Sequence, residues 1–448
     1  MDLLPAELKD LIVSNVGKES LPSLRLVCKA LRKPATRRLF SELEVKAHVQ
    51  KVQHILASRL STEVTSFQLH TEEETRYYGS PGDLDLKNRD ERIIVLMGRF
   101  PNLRDVTSYW GRAPGEDEEG LIPYRRTADS NKGSARRFTA LLETLSSVEH
   151  SHLRSLSFVN IGQYLYDSGL TSSPAFHTIL GRISELRMSV KCDFTLWRCN
   201  FVPEITLWLI PAQSNLTSLT IHVNRCWGYD RQLRLRDLHF PNLKKLKLGN
   251  YMITHEWQLE WILSHSTLER LVLDTCSIVN YFFTYCELDD EKYPLHYKPV
   301  PWGDPEPQYQ WEFDMQWSQL FGKIEQGLKH LKEFTFGIQN LKNGQHDYTR
   351  LYCLLPTDDP EHYSFSRNHC SKMTDEAFAV VGMYKEHYMA FNNTIGAWYD
   401  IQGFMKSVEE DEDWVIPIVD RSITGREDDE AAYHKLMATV YARACDGN

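Results

Sequence analysis

One spacing constrains this 448-residue chain more than any other feature: an apolar residue, two others, a second apolar residue, one other, and a third apolar residue. It recurs at Leu153/Leu156/Phe158, Ile183/Leu186/Met188, Leu216/Leu219/Ile221, Leu243/Leu246/Leu248, Leu268/Leu271/Leu273 and Leu331/Phe334/Phe336. An earlier copy stands at Val64/Phe67/Leu69, with a degenerate one at Leu103/Val106. One such triplet means little, because any amphipathic segment supplies it by chance. Six with shared flanks carry information. FPNL precedes two copies, beginning at Phe100 and Phe240, while HSHL and HSTL precede two others, beginning at His150 and His265.

Physically, the last two apolar residues of a triplet alternate inward from a short strand, and the first packs from the turn before it. Helical patterns lie between triplets, as in 137–148, 257–264 and 317–328. A strand and a helix, repeated, bury their apolar edges only against neighbouring copies, so the expected product is a solenoid. From Leu153 the copies fall 30, 33, 27 and 25 residues apart, close to the period of leucine-rich repeats, roughly 20–29 residues. The consensus of such repeats puts Asn or Cys eight residues after the first leucine. Asn224 and Cys276 obey it, and other copies miss it or slip by one, so the repeats are irregular. A gap of 63 residues before Leu331 holds a Pro- and Tyr-rich stretch, 280–316, expected to be a looped insertion. A second loop is expected at 111–132, around GEDEEG and TADSNKGS.

The first 45 residues follow other rules. Pro5 suits a first helical turn, and Leu4, Leu8, Leu11 and Ile12 then share one face. Gly17 stops that helix. Ser20 is a candidate N-cap for a second, with Pro22 in its first turn and Leu21, Leu24 and Val27 on one stripe. Pro34 is expected to open a third helix ending near Phe40. Helices this short cannot bury all their apolar residues against one another, and a unit of about 40 residues normally needs a partner. Leu4, Pro5, Leu8 and Ile12 are thus an expected docking face, the competing reading being a helical cap packed on the next domain.

The pattern LPxEL, then an isoleucine, then LxxLRxVCK resembles the F-box motif in order and spacing. The matching residues are Leu4, Pro5, Glu7, Leu8, Ile12, Leu21, Leu24, Val27, Cys28 and Lys29. The tryptophan that the family often carries in or after the third helix is replaced here by Leu31 and Phe40. The resemblance is to F-box proteins with leucine-rich repeats, of the fungal type. It implies an α/β chain: a three-helix F-box, then an irregular leucine-rich-repeat solenoid with parallel strands on one face and helices on the other. It also implies binding to a Skp-type adaptor and, through it, a cullin scaffold. The expected boundaries are 1–45 for the F-box, 46–340 for the solenoid and 341–448 for an acidic, tyrosine-rich cap. That cap includes the charge run Glu409–Asp413 and a helix over 427–442.

Composition and missing motifs exclude most other classes. The chain is 42% hydrophobic, with 11 Trp, 21 Tyr and 19 Phe, too apolar for intrinsic disorder. Its net charge is −10, with the acidic excess almost entirely after residue 340, so no basic footprint for nucleic acid is present. No apolar run reaches the ~20 residues of a membrane span. Asp2, Glu7 and Lys9 fall where a leader would be apolar, so a cytoplasmic or nuclear protein is expected. The nine cysteines include no CxxC pair, and Cys192/Cys199 and Cys276/Cys286 lack zinc-knuckle spacing. His255-Glu256-Trp257-Gln258-Leu259 begins like a metalloprotease helix but has leucine where the second ligand must be. No catalytic residue, metal or cofactor is therefore expected.

The functional expectation is a non-catalytic substrate receptor of a cullin-type ubiquitin ligase, the alternative being a ligase-independent scaffold that binds the adaptor without delivering targets. For the unknown protein target, the residues between the strand leucines form candidate rows. Thr220, His222, Lys245, Lys247 and Arg270 are the central candidates, with the three cations suited to an acidic or phosphorylated segment. An ordinary solvated face is the competing reading.

Overall fold

The computed structural model describes residues 4–46, 48–71, 83–110, 128–147, 152–162, 169–191, 204–228, 233, 235–274, 276–284, 288–293, 309–339, 363–364, 383–388 and 426–446. The chain forms two compact units, one reaching to Leu186 and the other running from Arg187 onward.

The first unit opens with three helices, α1 (Ala6–Ser14), α2 (Leu21–Val27) and α3 (Lys29–Phe40). Pro5 sits one residue earlier than expected, as the N-cap of α1, and Ser20 is the N-cap of α2. Helix α3 begins at Lys29 rather than at Pro34, which lies inside it. Proline there cannot donate to the carbonyl four residues back, but the missing bond falls in a short helix anchored at both ends. Val13, Leu21, Leu31 and Ala35 form the centre of this helical unit, with Ile12, Val16, Leu24, Cys28 and Leu39 packed around it. Past the end of α1 the Arg38 guanidinium donates to Val13 O, which also accepts the Val16 N–H at 3.2 Å, and to Val16 O at 2.8 Å.

A single residue then separates α3 from β1 (Glu42–Lys46). There follow α4 (Val49–Leu56), β2 (Ser66–Thr71), α5 (Asp83–Met97), β3 (Asp105–Trp110), α6 (Ala128–Ser146), β4 (Ser155–Gly162) and α7 (Pro174–Leu180). Strands β1 to β4 pair in parallel and in sequence order, with Leu43, Phe67, Val106 and Leu156 in one register row. Each triplet of the sequence is buried here. Val64, Phe67 and Leu69 are fully enclosed, as are Leu103 and Val106, with buried Ser108 in the degenerate third place. β1 is an additional copy, since Leu43 and Val45 are buried and Phe40 occupies the first position at the end of α3. Of the expected loop 111–132, residues 128–132 belong to α6 and the rest lie outside the described residues.

The division between units falls inside β5 (Glu185–Lys191), whose Leu186 and Met188 are buried. The second unit continues with α8 (Ile205–Leu209), β6 (Ser218–Trp227), β7 (Lys245–Ile253), α9 (Glu256–Leu263) and β8 (Arg270–Asp274). After these come β9 (Ser277–Thr284), β10 (Tyr309–Glu312), α10 (Trp317–Gly327) and β11 (Glu333–Gln339). Strands β6, β7, β8 and β11 pair in parallel, with Leu219, Leu246, Leu271 and Phe334 in register. The short β12 (Tyr363–Ser364) pairs antiparallel with β11. The expected loop 280–316 is partly strand: β9 pairs antiparallel with β10 and with β13 (Met383–Tyr388). A second small sheet thus recruits residues from a region that carries no repeat signal.

The last element, α11 (Arg426–Asp446), covers the final repeat. Tyr433 packs against Phe321, Phe334 and Phe336. Asp429 Oδ1 accepts the Ser318 N–H at 2.7 Å at the start of α10, and the Arg443 guanidinium donates to Leu328 O (2.9 Å) and Glu325 O (2.8 Å) at its end. α11 therefore caps both termini of α10. Leu246→Ala or Leu271→Ala, in the centre of these rows, is expected to cost about 2–5 kcal/mol in a urea melt. Leu26→Ala, at an exposed position, should change stability by less than about 0.5 kcal/mol.

Candidate functional site

The three-helix unit buries only part of its apolar surface. Leu21 is wholly enclosed, and Ile12, Leu24 and Cys28 are turned against the core, so they shape the unit rather than its surface. Glu7 and Leu8 on α1 and its N-cap Pro5 are exposed, and Leu4 before the cap is half-buried. Leu8 is 45% exposed and Leu11, on the next turn, 57%. On α2, Val27 is 80% exposed and its neighbour Leu26 is 82% exposed. Leu26 was not singled out by helical spacing, which placed the apolar stripe on Leu21, Leu24 and Val27. That stripe splits in the structure because α2 ends at Val27, so the last residue escapes the face that Leu21 and Leu24 bury.

Charged contacts hold this unit against the first repeat. Lys18 reaches Glu42 of β1 at 2.9 Å, and Arg37 lies 3.7 Å from Asp10 and 3.6 Å from Glu63. The Arg25 guanidinium lies over the Phe40 ring at 5.6 Å. These exposed pairs individually contribute little. They join α1 and α2 to α3, and α3 and the turn before α2 to the first repeat.

The strand-face candidates behave differently from the sequence expectation. Thr220 and His222 are buried, and Lys247 is only 4% exposed. Arg270 is ion-paired with Glu333 of β11, one strand away. Of the five candidates only Lys245 is exposed. Alternation along a strand correctly turns these residues away from the leucine core, but alternation does not determine whether the opposite face is wet. In this unit it is largely enclosed: Ser218, Val272 and Asp274 are buried as well. A basic stripe of three accessible cations is therefore absent.

His222 shows how closely the face is packed. Its ring lies over Gly249, where an added Cβ would stand 2.1 Å from the imidazole carbon, so only glycine fits opposite it. Asn250, next along β7, adopts a left-handed backbone (φ 57°) and donates Nδ2–H to Val223 O at 2.6 Å. Asn160 on β4 has the same conformation (φ 59°). Both stand seven residues after the first apolar residue of their repeat, which accounts for the apparent slip from the eight-residue rule. Cys276 keeps to that rule, its thiol contacting Leu248 O at 3.3 Å. Asn224's side chain, Cys192, Cys199 and Cys286 lie outside what is described.

His255 has a structural place. It is the N-cap of α9, in a reciprocal capping box with Gln258, and its Nε2 is 2.9 Å from Glu291 O. Its ring stacks on Tyr293 at 4.5 Å. Burial lowers its pKa, so the ring is held neutral. The recurring flanks also acquire reasons. Asn102 and Asn242 of the two FPNL segments donate to Thr62 O (2.7 Å) and Ser214 O (2.8 Å) of the preceding turn, above the buried Phe100 and Phe240. His265 of HSTL is buried against Phe240 and Trp261.

No family model matches the chain, and no curated protein matches it. Among solved structures it is similar to an internalin (inlF) of Listeria monocytogenes, at 11% identity and a TM-score of 0.25 over 66% of this chain and 69% of that one. It is also similar to TLR13 in its complex with ssRNA13, at 14% identity and a TM-score of 0.24. That match spans 67% of this chain but about a third (36%) of TLR13. The repeat assignment rests on the register rows and buried triplets above. No described helix is long and apolar enough to cross a membrane.

Besides His255, two histidines of the second unit are depressed far enough to couple its stability to pH. Burial depresses both His222 and His265 to about 4, from 6.5. Between those values the unfolded chain binds protons that the folded chain does not, so stability is full above about pH 6.5 and falls as pH drops toward 4. The loss is on the order of 2–3 kcal/mol per histidine. His265→Phe should flatten the pH dependence of chemical melts between pH 7 and about 4.5. Gly249→Ala should destabilise by about 1–3 kcal/mol, because the new methyl would overlap the buried imidazole and force it to shift.

Proposed function

We propose that the chain is the substrate-recognition subunit of an SCF (Skp–cullin–F-box) ubiquitin ligase. In this reading α1–α3 are the F-box and bind a Skp-type adaptor, the adaptor binds a cullin scaffold, and the repeats hold a protein target. The chain performs no chemistry itself. It raises the effective concentration of target lysines near a conjugating enzyme carried by the same assembly.

The observation that carries the reading is where apolar surface is left uncovered. Among the described residues eight large hydrophobics are exposed, and four of them, Leu8, Leu11, Leu26 and Val27, fall within residues 8–27. The remaining four are spread over Val95, Leu207, Ile210 and Tyr441. A unit of this size with so much apolar surface is the signature of a docking face. Two of those residues, Leu8 and Val27, coincide with positions of the F-box resemblance.

Leu8→Asp with Val27→Asp tests the reading without touching the helical core, since both side chains are exposed. Adaptor co-purification should fall at least about tenfold, because an unpaired charge would be desolvated in the interface, while the melting temperature stays unchanged. Undiminished co-purification would overturn the proposal. An adaptor complex that never contains cullin would instead favour a scaffold that does not deliver targets.

A further inference from the structure

The turns entering the strands carry a charged row whose character differs between the units. In the second unit the row compensates itself from repeat to repeat. Lys244 pairs with Glu269 at 2.9 Å, and Arg270 pairs with Glu333. In the first unit the residues that follow the first apolar position are Ser41, Thr65, Arg104 and Arg154. Arg104 and Arg154 are direct neighbours: the Arg154 N–H donates to Arg104 O at 2.8 Å. Their backbones are therefore one strand apart, about 4.8 Å. Both side chains are exposed, and among the described residues neither guanidinium has an ion pair or a side-chain hydrogen bond. Arg99, also exposed, lies on the turn leading into the same strand. Asp105 adjoins Arg104 in sequence and Glu185, whose N–H donates to Arg154 O at 3.0 Å, adjoins Arg154 on the next strand, which leaves three arginines against two carboxylates.

We propose that Arg99, Arg104 and Arg154 form the docking site for an acidic, carboxylate-rich segment of the target protein. The assignment rests on the receptor reading only in calling that partner a target. Two guanidiniums rooted a strand apart can each take a carboxylate in a forked, charge-assisted hydrogen bond. Alternate side chains of an extended peptide are spaced by about 6.6–7 Å, which two flexible arginine stems can match. The chain as a whole carries −10 and repels polyanions. Screening confines that repulsion to roughly 8–10 Å, so an acidic peptide is held only where cations are locally in excess. Nucleic acid demands many phosphate contacts and stacking platforms, which three arginines do not supply.

The test titrates the full-length chain with a short fluorescein-labelled glutamate-rich peptide, read by anisotropy at low and at moderate salt. Arg104→Glu with Arg154→Glu should weaken binding by at least about tenfold and reduce its salt dependence. Arg104→Ala with Arg154→Ala should weaken it in the same direction. Melting temperature and adaptor co-purification should be unchanged in both, so failure here is distinguishable from failure of the F-box reading. Equal binding by wild type and the alanine pair would overturn the proposal. So would a loss confined to the glutamate pair, which would trace it to the introduced charge. A preference of the wild type for a phosphoserine peptide with neutral flanks, or for an oligonucleotide, over the glutamate peptide would overturn it as well.

Discussion

Successive repeats within each unit share one recurring junction at the start of the strand pairing, a carbonyl that accepts two N–H groups. Ser41 O receives Thr65 and Ser66, Thr65 O receives Arg104 and Asp105, Arg104 O receives Arg154 and Ser155, and Arg154 O receives Ser184 and Glu185. In the second unit Thr217 O receives Lys244 and Lys245, Lys244 O receives Glu269 and Arg270, and Glu269 O receives Lys332 and Glu333. Distances run from 2.8 to 3.1 Å. The accepting residue always follows the first apolar residue of a triplet. That apolar residue is buried in every copy except the first, where Phe40 is half-buried, and its neighbour's carbonyl sets where the next strand begins, so register is passed from repeat to repeat. Insertions of very different length between triplets are tolerated because they leave this junction alone, and long surface connections cost little in closure entropy.

The same junction explains how the N-terminal helices meet the repeats. Phe40 ends α3 and also takes the first apolar position of repeat one, and Ser41 O is the first accepting carbonyl. No linker intervenes. The helical unit and the first triplet thus share Phe40, with only Ser41 before β1, and Lys18–Glu42 and Arg37–Glu63 add contacts between them. A partner held on the exposed face of α1 and α2 would be oriented relative to β1–β4 by backbone hydrogen bonds rather than by a flexible tether.

The core was legible in the sequence because it is written in a period that physics enforces. Every apolar triplet, including the degenerate Leu103/Val106, is buried, since strand alternation and repeat stacking leave those side chains no other place. Phe40/Leu43/Val45 carries the same spacing, but Phe40 also ends a helix, so the copy is masked by the overlap of two elements. The small sheet of β9, β10 and β13 was not legible: strands so far apart in sequence pair without any local period. The candidate face on β6–β8 failed for a different reason. Alternation tells which residues leave the leucine core, but burial of Lys247, Thr220 and Asp274 depends on what packs over them, which no single strand encodes. At the N-terminus the motif falls on the segment where exposed large hydrophobics cluster. It could not separate Leu21, which is core, from Leu26, which is surface, because that distinction depends on where α2 stops.

In the proposed function this chain bridges a ligase and a target, and affinity purification of the tagged full-length protein, with and without a proteasome inhibitor, tests that most directly. Quantitative mass spectrometry should find a Skp-type adaptor and a cullin in both samples, together with proteins enriched only when degradation is blocked. Absence of the adaptor from both samples would contradict the account at its centre, however well the repeats themselves prove to fold.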